Sequence, residues 1–134
     1  MERNVWKEVE ESTMNINEIL EKVFKGFKFD GESIPISPNK YTGDATTFLV
    51  YYTYATTPEG FADDLPKLEI TSGTLDIYSN KNYKKLKNEV KRKLVKECGF
   101  TWTGDDTEDY EEDTKLWHVP INFSVGDEVS FLDN

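Results

Sequence analysis

Apolar residues recur at helical spacing twice along this chain and alternate at strand spacing in three further stretches. Over residues 15–27, Ile16, Ile19, Leu20, Val23, Phe24 and Phe27 mark one face of a helix. Asn15 is placed to cap it, Glu18 follows three residues on as in a capping box, and Gly26 marks its end. Residues 29–44 are turn-rich, with Asp30-Gly31, Pro35, Pro38 and Gly43, and have room for a short edge strand around 34–36. Residues 46–56, TTFLVYYTYAT, are β-branched and aromatic throughout and predict a central strand. Phe48, Val50, Tyr52 and Tyr54 lie on one face, with Leu49, Tyr51 and Thr53 on the other.

A loop is expected over 57–66, carrying Pro58, Gly60, Phe61, Asp63, Asp64 and Pro66. A strand follows over 67–79, in which Gly73 signals a bulge or a close backbone approach. The second helix is expected over 81–98. Ser79 or Asn80 would cap it, Gly99 would end it, and its buried stripe would be Tyr83, Leu86, Val90, Leu94, Val95 and Cys98. A short strand over 100–103 and a longer one over 115–125 complete the pattern. In the latter Trp117, Val119, Ile121, Phe123 and Val125 alternate with polar or small residues. These elements predict a two-layer α+β domain, with a mainly antiparallel sheet of four to five strands and two amphipathic helices packed on one face. The domain spans 14–126. A flexible or weakly helical extension (1–13, ending just before a second methionine, Met14, that is an alternative start) precedes it, and a short polar tail (127–134) follows.

Charge narrows the functional classes. The net charge of −10 argues against generic binding to nucleic acid or anionic lipid. Yet Lys81, Lys84, Lys85, Lys87, Lys91, Arg92, Lys93 and Lys96 crowd the second helix, while Asp105, Asp106, Glu108, Asp109, Glu111, Glu112 and Asp113 form an acidic run. Each is either a solvated surface or one half of a head-to-tail contact between copies, basic helix to acidic loop. The run lacks the acid spacing of a calcium loop. Tyr51, Tyr52, Tyr54, Phe61, Tyr110 and Trp117 are either interface aromatics or filling for a core short of leucine.

Candidate chemistry is sparse. His118 is the sole histidine and reads as a partly exposed strand residue, without companions for a zinc site or a nucleophilic triad. Cys98 is the only cysteine, so no disulfide forms within the chain; its place near a helix C-terminus disfavours a thiolate. No phosphate-binding glycine motif is present. Neither a signal peptide nor a membrane-length apolar run appears, so a soluble protein, cytoplasmic where it is made, is expected.

Several strings in order bear a likeness to a known family: TTFLVYYTYATTPEGFADD (46–64), TLDIYSNKNYKKLKNEVKRKL (74–94) and ECGFTWTGDDTEDYEEDTKLWHVPINFS (97–124). Their landmarks are Ala62-Asp63-Asp64, Asp76-Ile77-Tyr78-Ser79, Gly99-Phe100, and the run from Tyr110 through Asp113, Thr114 and Lys115 to His118. In these the chain resembles the tail-completion, or tail-to-head joining, proteins of long-tailed (siphovirus-type) phages, which are similar in architecture to tail terminators. The N-terminal extension and Pro120 depart from that pattern. The resemblance implies a structural, non-enzymatic virion protein without cofactors, located at the head–tail interface. It would form a hexameric ring with itself, cap the tail-tube protein, meet a head-completion or connector protein, and let DNA pass without specific binding. Candidate contacts are Phe61, Asp63 and Asp64 in the first loop, Lys84, Lys87 and Lys91 on the basic helix, and Asp105, Asp106, Glu108, Asp109, Tyr110 and Glu111 in the acidic run. The alternative from charge alone is a small acidic monomeric binding or regulatory protein, such as a DNA-mimic inhibitor. An enzyme ranks below both.

Overall fold

The computed structural model describes residues 15–132; the extension expected over 1–13 lies outside them. Helix α1 (Ile16–Val23) is capped as its sequence predicts, Asn15 Oδ1 accepting the Glu18 N–H at 2.8 Å. It closes at Phe24, short of the expected residue 27, and the chain leaves it through Gly26 at φ +66°. Strands β1 (Lys28–Phe29) and β2 (Glu32–Ser33) form a small hairpin. Asp30 and Gly31, both at positive φ, make the tight turn that this hairpin geometry favours.

The main sheet holds six strands: β3 (Ile36–Pro38), β4 (Thr47–Glu59), β5 (Leu68–Ser79), β6 (Thr101–Asp105), β7 (Asp109–Glu111) and β8 (Leu116–Glu128). Their spatial order is β3-β4-β5-β8-β6, with β7 also pairing β8. Only β3 runs parallel to its neighbour. The protein is therefore α+β with a mainly antiparallel sheet. Its sixth strand, β7, comes from within the acidic run, which sequence reading left as an unpaired loop.

Helix α2 (Lys84–Arg92) starts later than expected, with Asn82 Oδ1 accepting the Lys84 N–H at 3.1 Å. It runs into a π-helical turn, Lys93–Glu97, closed by Cys98 N–H to Lys93 O at 2.9 Å. That wider turn inserts one residue into the helical phase. Val95, expected in the buried stripe, is consequently rotated outward and 41% exposed, while Leu94 stays fully buried. Gly99 ends the element at φ +75°, as its sequence predicts.

Strand alternation decides which residues meet the helices. Leu49 and Tyr51 of β4, Leu75 and Ile77 of β5, and Val119, Ile121 and Phe123 of β8 face Leu20 and Phe24 of α1 and Leu86 and Val90 of α2. Among the described residues both helices thus cover one sheet face, and no described helix lies on the other. Tyr51 is buried and donates from its hydroxyl to Glu21 at 2.8 Å; burial, then this carboxylate, pushes its phenol strongly up. Tyr51 therefore serves the core.

Strands β4 and β8 run past their expected bounds. Residues 57–59 are not loop but strand, pairing with Ile70, Glu69 and Leu68, because Pro58 lies where β4 has no outer neighbour to demand its N–H. Of the two features expected at Gly73 the close backbone approach is present, a Cβ there falling 2.6 Å from the Tyr52 carbonyl oxygen, while the bulge itself lies on the opposite strand between Thr53 and Ala55. Pro120, which departs from the family pattern, lies inside the sheet opposite Asp76. Its carbonyl accepts from the Asp106 N–H at 3.3 Å, so its nitrogen likewise points into the interval between β6 and β7, where no ladder bond is lost. The strand ends at Glu128, inside the stretch read as tail.

Candidate functional site

The sheet face opposite the two described helices carries the side chains of opposite parity to the core. Register places Tyr52 of β4 beside Thr74 of β5, Asp76 beside Pro120 of β8, and Tyr78 beside His118. Asp76 and His118 are therefore diagonal neighbours across two strands. His118 Nε2 lies 2.7 Å from Asp76 Oδ2, while the Thr74 hydroxyl donates to Asp76 Oδ1. Asp76 is only 3% exposed. A carboxylate so buried requires such partners.

An aromatic row holds His118 in place. Its ring stacks on Tyr78 (centroids 4.4 Å apart), Tyr78 on Phe48 (5.1 Å) and Phe48 on Tyr41 (4.2 Å). Glu111 on β7 approaches the other imidazole nitrogen at 3.7 Å. The Asp76 hydrogen bond holds the imidazole's pKa above its usual 6.5 despite the burial that opposes it. Burial, then Asp76 and Glu111, pushes the Tyr78 phenol up to about 12.

The protonated imidazole is thus bound more tightly in the folded chain than in the unfolded one. Its contribution to stability is full below the unfolded pKa and is lost as pH rises through the raised folded value. Urea melts across that window should show stability falling as pH rises. His118→Gln should remove this component, and an unchanged slope in the variant would refute the assignment.

Beside the pair lies a polar cleft of about 390 Å³, lined by Tyr52, Tyr54, Thr74, Asp76, Asp106 and His118, with Pro120 and Asn122 completing it. Among the described residues no serine or cysteine nucleophile lines this cleft beside the imidazole. Cys98 is half-buried on the other layer, where burial and Glu97 push its thiol up to about 12. Among the described residues no three His, Cys, Asp or Glu side chains converge as metal ligands. No described helix is long and apolar enough to cross a membrane.

Of the contacts proposed from sequence, the basic helix and the acidic run meet within the chain. Lys87 Nζ reaches Glu108 at 2.6 Å and Asp105 at 3.0 Å. Lys91 Nζ reaches Asp105 at 3.1 Å and sits 3.9 Å from the centre of the Trp102 ring. Tyr83 donates to Glu108, and Trp102 Nε1 donates to Asp105 at 2.9 Å. The Lys87 ammonium is held above its usual pKa range because these hydrogen bonds outweigh the burial that would lower it. Lys87, Lys91, Asp105 and Glu108 thus each have a partner within the same subunit. Lys87→Ala should cost about 1–2 kcal/mol in urea melts by leaving Glu108 without its bridging cation and Asp105 with Lys91 alone. A loss no larger than that of the exposed Lys84→Ala would refute the bridging role.

Asp106, Asp109 and Glu111 instead gather near the cleft and His118, and Tyr110 packs edge-on against Trp117 (5.3 Å). Phe61, Asp63 and Asp64 lie at the far tip of the β4–β5 hairpin. Ala62 and Leu65 exchange backbone hydrogen bonds of 2.8 and 2.9 Å around Asp63 and Asp64, both at positive φ. The two aspartates therefore serve the turn. Phe61 is 61% exposed, and Leu65 and Leu68 are exposed near it.

Sequence reading passed over Asp76, Thr74 and Asn122. A usable signal was present: an aspartate inside TLDIYS is out of place in a buried strand unless something pairs with it. Neither a protein-family model nor a curated protein matches this sequence.

Proposed function

We propose that this chain is a structural assembly protein of a long-tailed phage, completing the tail tube and joining it to the head connector. The observation that carries this reading is the β4–β5 ribbon. From Tyr52 to Glu59 every residue of β4 is exposed although the strand remains paired with β5, and the ribbon ends in the exposed apolar residues Phe61, Leu65 and Leu68. A ribbon of this kind beside the helix-covered core, with aromatic and aliphatic side chains turned to solvent, is the surface of a protein that works by docking. The ordered strings at 46–64, 74–94 and 97–124 supply the phage-tail assignment. In this reading copies of the chain close a hexameric ring on the last layer of tail-tube protein. The connector docks on the opposite side, and the net negative charge lets DNA slide past.

The test mixes the purified chain with tubes polymerised from the tail-tube protein of the same genome. Electron microscopy should find one tube end capped, and Phe61→Asp or Leu65→Asp should abolish capping while leaving thermal stability unchanged. A chain that leaves tubes bare and remains monomeric would overturn the proposal. If that monomer instead competed with DNA for a basic protein, the acidic regulator would take its place.

A further inference from the structure

We infer that the cleft on the sheet face opposite the two described helices seats the guanidinium of an arginine side chain presented by a protein partner. The inference concerns the cleft alone and stands whether or not the chain caps a tail.

The argument rests on charge and shape. Two carboxylates, Asp76 and Asp106, line the cleft against one imidazole. Tyr52 senses both, since its phenol is pushed up first by burial and then by Asp76, Tyr54 and Asp106. The cleft is therefore electronegative, which excludes phosphates and nucleic acid as occupants. Its aromatic wall points to a cation rather than to water alone. The Tyr52 and Tyr54 rings are 41% and 59% exposed, with centroids 6.3 Å apart and planes tilted at 58°. Exposed tyrosine faces beside carboxylates attract cations. A guanidinium fits better than an ammonium because its plane stacks on a ring while its N–H fork meets a carboxylate edge. Arginine is also enriched at protein interfaces.

The buried pair makes this site responsive to pH. Asp76 from β5, Tyr52 and Tyr54 from β4, Asp106 from the β6–β7 connection, and Asp109 and Glu111 from β7 surround His118, beside Tyr78. Both Asp76 oxygens are engaged within the chain, so the change is one of field: protonated His118 offsets the Asp76 charge beside the cleft, and neutral His118 leaves that charge uncompensated. Proton and guanidinium therefore compete, and affinity rises as His118 loses its proton.

An NMR titration of the full chain tests this, with acetyl-arginine methylamide as probe and the matching lysine, citrulline and free arginine compounds beside it. Saturable shifts should be confined to Tyr52, Tyr54, Thr74, Asp106, His118 and Asn122. The blocked arginine should bind more tightly than the lysine, and the neutral citrulline should not bind. Tyr54→Ala and Asp106→Asn, both at exposed positions, should each weaken arginine binding by roughly three- to tenfold with the remaining spectrum unchanged. Affinity should be higher above the His118 midpoint than below it. Absence of saturable shifts, equal binding of citrulline or lysine, or indifference to either variant would overturn the inference. Tighter binding of free arginine than of the blocked form would assign the cleft to a small ligand instead and likewise overturn it.

Discussion

Phe123→Ala is expected to destabilise the fold by about 3–5 kcal/mol, the largest effect anticipated for any single change discussed for this chain. Phe123 is fully buried in β8, the strand that pairs with β5 on one side and with β6 and β7 on the other. Its ring stacks on Phe100 with centroids 5.2 Å apart. Its backbone lies opposite Gly73 and Trp102. Truncation removes that packing and leaves a cavity between two strands that cannot collapse without losing register. Against a typical domain stability of roughly 5–15 kcal/mol, the loss is a large fraction of the total. Urea denaturation should give a much lower midpoint at unchanged slope. A loss under about 1 kcal/mol would mean that Phe123 is not the keystone between β5 and β6. Trp117→Ala, on the same parity but more exposed, should cost clearly less.

Gly73→Ala is expected to cost about 2–3 kcal/mol, through crowding rather than backbone strain. A Cβ at Gly73 would lie 2.6 Å from the Tyr52 carbonyl oxygen, 2.8 Å from Phe123 Cζ and 3.2 Å from Thr53 Cγ2. The ring tip and the methyl group can give way, but the carbonyl belongs to the paired backbone of β4. Gly73 therefore sets how closely β4 approaches β5 just before the bulge between Thr53 and Ala55. Combining Gly73→Ala with Phe123→Leu should recover only part of the loss, with a coupling of about 1 kcal/mol, because the carbonyl contact persists. Strict additivity of the two changes in urea melts would show that Phe123 and Gly73 do not share this contact. A neutral Gly73→Ala would refute the close approach itself.

Much of the fold is legible without coordinates. The α1 cap at Asn15, the glycine stop at Gly99, the alternation of Val119, Ile121 and Phe123, and the two-layer α+β plan all follow from local rules. The candidate site was far less legible. His118 and Asp76 are separated by 42 residues and meet only because β5 and β8 pair in one register. A slip of one residue between them would put Asp76 and His118 on opposite faces of the sheet. Likewise, neither the basic helix nor the acidic run announces that Lys87 and Lys91 close on Asp105 and Glu108 of their own chain.

What the residues determined by themselves is therefore the identity of the elements and the side of each that seeks the core, since periodicity and capping act over a few neighbouring positions. Tertiary structure alone decided which elements lie side by side. It carried β4 on to Glu59, drew β7 out of the acidic run, turned Val95 outward through a π turn, and gave the buried Asp76 its histidine. Strand register and helix phase come from filling one shared core, and no short stretch of sequence contains that information.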